Sequence, residues 1–427
     1  MKLSSILFEN YKAFKQQEEI EIRPLTILIG RNSSGKSVIA RLPLLLARAL
    51  SEQAEGPLEL EFNGLDFGQS FLDLVHNRFW AGAISLGASF TDDNENKYSF
   101  KVKLQYFDEP KLFIISQFEF ISAEKEYLFE WQGKDPINDA EKYEFNSNQC
   151  KINFKGLFPE TIKVLDNNNP AIVEQLEQAQ LFLNQAKSDF ASAMKNITYL
   201  GPFRESVQRT YNFPGISPKD VGFAGGKAPA LLGDDSLRRR GKLVDSVGNW
   251  FAEHLGGWPL RVSKQGDSFS LVLCNPDEPS IEINIADVGA GISQVLPIVV
   301  QRQFEHINEK SAHLEIIEQP ELHLHPKAHT ELADLYITAL QQVNTQFIIE
   351  THSENFLLRI RRRIAEGQLE PDKVIIYWVN DEANSNNRIQ AINIDQHGAV
   401  NSWPQGVFAE DFEEAKAIRI SQRRSAQ

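Results

Sequence analysis

A glycine-rich loop at residues 30–37 has the residue types and the spacing that hold nucleotide phosphates. The loop reads Gly30-Arg31-Asn32-Ser33-Ser34-Gly35-Lys36-Ser37. Its two glycines permit a turn tight enough to direct backbone N–H groups inward at a helix N-terminus. Lys36 supplies an ammonium group for the β- and γ-phosphates, and Ser37 supplies a hydroxyl ligand for Mg²⁺. The loop therefore predicts ATP as ligand and Mg²⁺ as its metal ion.

Two later segments complete the chemistry of a nucleotide site. The strand-like segment Leu314-Glu315-Ile316-Ile317, which is apolar except at Glu315, ends in Glu318, which is placed to hold Mg²⁺ through water from a neighbouring strand. The run Ile348-Ile349-Glu350 leads into Thr351-His352-Ser353, where His352 can reach the γ-phosphate. Either segment alone is weak evidence, and the set of three is specific.

The elements that must position these residues are strands followed by loops. Residues 25–29 form a β-rich apolar run directly before the glycine loop, and residues 37–50 have helical composition. The other short apolar runs of the buried, parallel type come after residue 310. The nucleotide-binding sheet is therefore predicted to be built from both ends of the chain.

The middle of the chain differs in character. Residues 80–160 alternate like an antiparallel β-meander, and residues 171–196 keep helical spacing. We expect an α/β fold with a β-rich and helical insertion. The predicted divisions are residues 1–80 with the loop, 81–200 as the insertion, and 201–427 as the remainder of the nucleotide-binding head.

Composition excludes several classes of protein. The 427 residues carry a formal net charge of −14, which argues against a protein that coats DNA nonspecifically. Two arginine clusters, 238–240 and 359–363, leave a local basic face possible, although solvated helix faces explain them as well. With two cysteines, no signal-peptide pattern and no long apolar run, the expected location is the cytoplasm, with no membrane association.

The motif set and its order resemble the ABC-class AAA ATPases of the RecF/Rad50/OLD branch. More narrowly, Glu318-Gln319-Pro320-Glu321-Leu322-His323-Leu324-His325-Pro326 and Thr351-His352-Ser353 resemble predicted ATPases of bacterial anti-phage defence systems. The resemblance implies an ABC-type P-loop head that pairs with a second copy, or a higher homo-oligomer, when ATP binds. It makes Glu318 the Mg²⁺ acid and His352 a switch histidine.

The resemblance also places a signature motif at 287–294, which opens a helix. Gly289, Gly291 and Ser293 would meet the γ-phosphate held by the opposite subunit. An ordinary glycine-rich turn before a helix is the alternative interpretation.

One residue departs from the family pattern. ABC ATPases place a catalytic glutamate after the Mg²⁺ acid, and this chain has Gln319 there. An amide can orient water but cannot accept a proton. Glu321 is a candidate replacement base; otherwise hydrolysis is slow and ATP mainly holds a dimer closed.

Three further segments leave alternatives open. Arg204, in Gly201-Pro202-Phe203-Arg204, can approach nucleotide or a partner, or can form a structural ion pair. His323, His325 and His329 favour a structural or interface role over a metal site. The motif at 403–408 near the C-terminus has no assigned function.

The predicted function follows from these residues and from the family. About 75 residues follow His352, fewer than the Toprim nuclease of some OLD proteins needs. We therefore expect an ATP-binding, slowly hydrolysing ATPase that regulates or senses for a separate nuclease or toxin in phage defence. The alternatives are a RecF-like DNA-binding repair ATPase and a non-hydrolysing dimerisation module.

Overall fold

The computed structural model describes residues 1–79, 82–165, 170–308, 314–342, 345–381, 388–403 and 418. Within them the chain forms two large sheets, two small sheets and seven α-helices. The strands are β1 (Lys2–Glu9), β2 (Glu18–Glu21), β3 (Leu25–Gly30), β4 (Glu61–Phe62), β5 (Leu65–Asp66), β6 (Ala83–Thr91), β7 (Lys97–Phe107), β8 (Leu112–Ser122), β9 (Glu126–Trp131), β10 (Lys142–Phe145), β11 (Asn148–Lys155), β12 (Phe158–Val164), β13 (Ile197–Leu200), β14 (Tyr211–Asn212), β15 (Leu260–Gln265), β16 (Ser268–Cys274), β17 (Glu282–Asn284), β18 (Leu314–Glu318), β19 (Gln346–Glu350), β20 (Val374–Val379) and β21 (Ile389–Ile392). The helices are α1 (Lys36–Leu50), α2 (Pro170–Ala193), α3 (Ala228–Arg238), α4 (Lys242–His254), α5 (Ala290–Asn308), α6 (Pro326–Gln342) and α7 (Glu354–Ala365).

A six-stranded sheet carries the nucleotide motifs. Its order is β13-β18-β19-β3-β20-β21, and all of its pairs are parallel except β20 with β21. Every residue of β3 and β18 is buried, as expected for parallel strands covered on both faces. The prediction that this sheet draws its strands from both ends of the chain is confirmed.

A nine-stranded antiparallel sheet contains most of the middle of the chain. Its order is β12-β11-β10-β9-β8-β7-β6-β1-β2, so the meander begins on β6 and continues to β12. The meander is connected to the N-terminal strands by the pairing of β6 with β1, which runs from Lys2↔Thr91 to Glu9↔Ser85. Strands from both sides of residue 80 therefore share one sheet. Strand β13, which lies just before residue 200, belongs to the parallel sheet. The domain divisions at 80 and 200 stay predictions.

Two hydrophobic clusters lie on opposite faces of the parallel sheet. The first joins the nine-stranded sheet, α1 and α2 to one face of the parallel strands, which contributes Leu28, Ile316 and Ile348. The second packs α3 to α7 against the other face, which contributes Ile27 and Ile317. Helix α1 is thus held between two sheets, and its N-terminus is fixed where β3 ends. None of the described helices is long and apolar enough to cross a membrane.

Candidate nucleotide-binding site

The glycine loop connects β3 to α1 at the carboxyl edge of the parallel sheet, where ligands of such sheets bind. Gly30 has φ 154°, and a Cβ atom there would lie 2.4 Å from the carbonyl oxygen of Val379. Gly35 has φ 110°, and its Cβ would lie 2.8 Å from the Phe14 ring. Both positions therefore require glycine, which has no Cβ and tolerates these angles.

The remaining loop residues divide into exposed and buried groups. Arg31, Asn32 and Ser33 are exposed, and Arg31 lies 3.7 Å from the carboxylate of Asp381. Ser34 is fully buried, and among the described residues its hydroxyl has no hydrogen-bond partner. Buried polar atoms are almost always paired, so an unpaired one in this loop fits a site built for a polar ligand.

Lys36 is folded back onto its own loop. Its ammonium group donates to the carbonyl oxygens of Gly30 at 3.0 Å and Arg31 at 2.7 Å, and it lies 3.8 Å from Glu350. Burial lowers its pKa. Phosphate oxygens would replace these carbonyl partners and give the ammonium group a counter-charge.

Two carboxylates face α1 from adjacent strands. Glu318 ends β18 and Glu350 ends β19, and the two are register partners. Glu350 accepts a hydrogen bond from the Ser37 hydroxyl at 2.7 Å. Glu318 accepts two from Arg41, at 2.6 and 2.8 Å, and one from the Tyr199 hydroxyl at 2.8 Å. Both acids are buried.

Sequence reasoning assigned no role to Glu350, although it placed Ser37 and Glu318 at the metal. The available signal was a second apolar strand ending in an acid, the same pattern that singled out Glu318. Burial, and then the nearby charge of Glu318, raise the pKa of Glu350 to about 7. Hydroxyl and carboxylate oxygens are the ligands that Mg²⁺ prefers, so this donor set fits the metal.

The turn after β18 contains the two candidate catalytic residues. Gln319 has φ 46°, and its N–H donates to the carbonyl oxygen of Glu350 at 2.7 Å. Glu321 is 8% exposed, and one carboxylate oxygen accepts the N–H of His352 at 2.6 Å. Its other oxygen has no partner among the described residues, and burial raises the pKa of Glu321. Glu321 thus fixes the backbone that carries His352.

His352 is close enough to the loop lysine for the ammonium charge of Lys36 to act on its ring. Its side chain is accessible to solvent, but desolvation by the groups around it and the charge of Lys36 lower its pKa to about 4. The ring is therefore neutral at physiological pH and has a donor as well as an acceptor nitrogen. A neutral histidine at this edge can donate a hydrogen bond to a phosphate oxygen.

The signature-like segment opens α5, and its three predicted residues differ in environment. A Cβ atom at Gly289 would meet no described residue within 4 Å, whereas one at Gly291 would lie 2.5 Å from the carbonyl oxygen of His323. Ser293 is buried, and its hydroxyl donates to the carbonyl oxygen of Ala290 at 2.7 Å. Of the three, Gly289 is the position with open space around it.

Arg204 connects the signature-like helix α5 to the end of β18 through hydrogen bonds. Its guanidinium group donates to the carbonyl oxygens of Glu318 and Gln319, both at 3.1 Å, and of Gln294 at 3.4 Å. It is 7% exposed, and burial lowers its pKa to about 10. These partners are backbone oxygens and not the carboxylate of an ion pair, while an approach of Arg204 to nucleotide or to a partner stays a prediction.

Within the described part of the chain, His323, His325 and His329 do not form a metal site with their neighbours. Both ring nitrogens of His329 are engaged, one with the Ser353 hydroxyl at 2.8 Å and one with the carbonyl oxygen of Leu324 at 3.1 Å. The described part of the chain contains no group of three or more His, Cys, Asp or Glu side chains suited to a metal ion. Of the motif at 403–408, the residues after Trp403 lie outside the described residues.

Family comparison agrees with this geometry. A model of the AAA ATPase domain matches residues 1–219 and 234–357. The chain belongs to this family. A second model, of a protein of unknown function (DUF3696), matches residues 369–416. Comparison with curated proteins found no match.

Several solved SMC heads are similar in structure. One is an SMC head bound to the C-winged helix domain of ScpA, with 12% identity, a TM-score of 0.46, and coverage of 93% of this chain and 99% of that one. The SMC head domain from Thermotoga maritima has 11% identity, a TM-score of 0.41 and coverage of 92% and 100%. An SMC head with an extended coiled coil, bound to the C-terminal domain of ScpA and derived from Pyrococcus furiosus, has 11% identity, a TM-score of 0.42 and coverage of 99% of both chains. At such scores the assignment as an α/β P-loop ATPase head rests on the family match and the strand order.

Proposed function

We propose that this chain binds ATP with Mg²⁺ at the glycine loop and hydrolyses it slowly. The supporting observation is that Lys36, Ser37 and two strand-final carboxylates meet at one edge of the parallel sheet. Mg²⁺ would offset the phosphate charge, and Ser37 with Glu318 or Glu350 would hold it. The loop N–H groups and Lys36 hold the phosphates, while His352 donates to the transferred phosphoryl group.

Slow hydrolysis follows from Gln319. It stands where the family places a general base, and its amide can orient a water molecule without accepting a proton. We propose that ATP pairs two copies of the chain head to head, or in a higher homo-oligomer. The paired state would regulate or sense for a separate nuclease or toxin in phage defence.

Phosphate release by the wild type and by Lys36→Ala and Gln319→Glu tests the hydrolytic part. Lys36→Ala should abolish ATP binding and release. Gln319→Glu should raise the rate by ~10-fold or more, because general-base catalysis is worth about 10²–10⁴-fold. A wild type that binds ATP without releasing phosphate would identify a non-hydrolysing dimerisation module instead.

The DNA-binding alternative has less support. Arg238 and Arg239 pair with Asp234, and Arg359 and Arg363 pair with Asp334. These acids offset much of the charge that a DNA-binding face would need. Tight DNA binding that weakens steeply with salt would revive this alternative.

A further inference from the structure

The two strand-final acids have different partners on α1. Ser37 and Arg41 are four residues apart and so share one face of the helix. Ser37 contacts Glu350, and Arg41 contacts Glu318. Since Glu318 and Glu350 are register partners on neighbouring strands, the helix meets the sheet edge through two parallel contacts. Only one of these contacts contains the hydroxyl that P-loop ATPases use for Mg²⁺.

Both carboxylate oxygens of Glu318 already have hydrogen-bond partners. Both carboxylate oxygens accept hydrogen bonds from the Arg41 guanidinium group, and one of them also accepts the Tyr199 hydroxyl. The side chain is 1% exposed. Binding Mg²⁺ there, directly or through water, would compete with a two-point charge-assisted pair, the strongest type of side-chain hydrogen bond.

The Glu350 contact is suited to a metal ion. The Ser37 hydroxyl and a Glu350 oxygen are 2.7 Å apart. Two adjacent ligands of an octahedral Mg²⁺ ion, each at 2.0–2.1 Å, lie about 2.9 Å apart. The cation that now faces Glu350 is Lys36, at 3.8 Å, and nucleotide phosphates require that same ammonium group. When Lys36 turns to phosphate, Glu350 gains a place for another cation.

We infer that Glu350, rather than Glu318, is the carboxylate that binds Mg²⁺ together with Ser37 in the nucleotide complex. Glu318 is a positioning residue, which holds α1 and β13 at the sheet edge through Arg41 and Tyr199. The inference rests on the proposed binding of ATP and Mg²⁺ and revises which acid serves the metal.

The test separates metal binding from nucleotide binding. The affinity of a fluorescent ATP analogue is measured in EDTA and in Mg²⁺ for the wild type, Glu350→Gln and Glu318→Gln. The ratio of the two affinities reports how strongly the complex holds the metal. In parallel, electron paramagnetic resonance counts Mn²⁺ bound to the complex with a non-hydrolysable ATP analogue.

Glu350→Gln should reduce the Mg²⁺ enhancement and the Mn²⁺ affinity by ~10-fold or more, the scale of losses at the groups around metal sites. Its affinity for the analogue in EDTA should not fall. Glu318→Gln should keep the Mg²⁺ enhancement within about threefold of the wild type, a change well below that scale, while its melting temperature falls. If Glu350→Gln does not fold, Glu350→Asp, which keeps the charge on a shorter side chain, should give a smaller loss in the same direction.

Three outcomes would overturn the inference: loss of the metal effect in Glu318→Gln alone, equal loss in both variants, or loss in neither. A wild type that binds no nucleotide in EDTA or in Mg²⁺ would overturn the proposed function as well. The affinity of the wild type for the ATP analogue, which is measured first, separates this outcome from the other three.

Discussion

Glu321 can be a catalytic base or a backbone anchor, and the two roles respond differently to substitution. Its carboxylate accepts the N–H of His352, a bond that the amide oxygen of glutamine can also accept. Glu321→Gln should therefore keep phosphate release close to the wild-type rate, whereas Glu321→Ala should lose ~10-fold or more because His352 is no longer held beside the phosphates. If Glu321→Gln is as inactive as Glu321→Ala, Glu321 is the base.

Arg204 contributes to stability through backbone carbonyls. It donates to the carbonyl oxygens of Gln294, Glu318 and Gln319 from a buried position. Arg204→Ala removes one buried donor from each of these oxygens, although that of Gln319 keeps the N–H of Leu322, and should lower the free energy of unfolding by about 2–4 kcal/mol, measured by urea denaturation. The matched control is Arg209→Ala, which removes an exposed ion pair with Asp287 and should leave the urea midpoint unchanged. Equal losses of unfolding free energy in the two variants would contradict a stabilising role for the hydrogen bonds of Arg204.

Single-residue chemistry was the part most accessible from sequence. The types of Lys36 and Ser37 and their place after an apolar strand specify a phosphate loop, because the chemistry requires those groups at that spacing. The partners of Arg204 are backbone oxygens, which every residue has, so the sequence does not indicate which residues Arg204 contacts. Residue type alone assigns no role to Glu350, since its contact with Ser37 depends on how β19 and α1 meet.

At the scale of elements, α2 holds the insertion together by aromatic packing. Phe190 is fully buried and stacks on Phe90, with ring centroids 4.1 Å apart and planes at 12°. Phe190→Ala should lower the free energy of unfolding by about 3–5 kcal/mol, because a buried aromatic ring leaves a cavity. Leu181→Ala on the same helix, at a side chain 72% exposed, should change it by less than about 0.5 kcal/mol. Urea denaturation checks both, and similar values for the two would contradict this packing.

The elements themselves were largely predictable, but their partners were not. Residues 242–254 and the buried runs after residue 310 have lengths and periods that indicate helix and parallel strands, and they form α4, β18, β19 and β20. Alternation in residues 80–160 indicates antiparallel strands without indicating which strand lies at the edge. The pairing of β6 with β1 depends on packing between distant segments, and periodicity carries no information about that.

At the scale of the whole molecule, the signature-like segment offers a test of ATP-dependent pairing that leaves the single subunit intact. Gly289 has open space at its Cβ position among the described residues, so a larger side chain there should leave the melting temperature and the ATP affinity of the unpaired subunit unchanged. In a head-to-head dimer this segment would close on the partner's nucleotide, and Gly289→Arg should block that approach. Gly291 cannot serve, because its Cβ would collide with His323 of its own chain.

The matched control is Gly56→Arg, since Gly56 is also open at its Cβ position and lies in the loop after α1. Mass measured by light scattering during gel filtration, with a non-hydrolysable ATP analogue present, should show pairing for the wild type and Gly56→Arg. Gly289→Arg should elute as a monomer with its nucleotide bound. Pairing that survives in Gly289→Arg, or that fails equally in Gly56→Arg, would mean that this face does not close the site, and the ATP-dependent contact would have to be sought on another surface of the head.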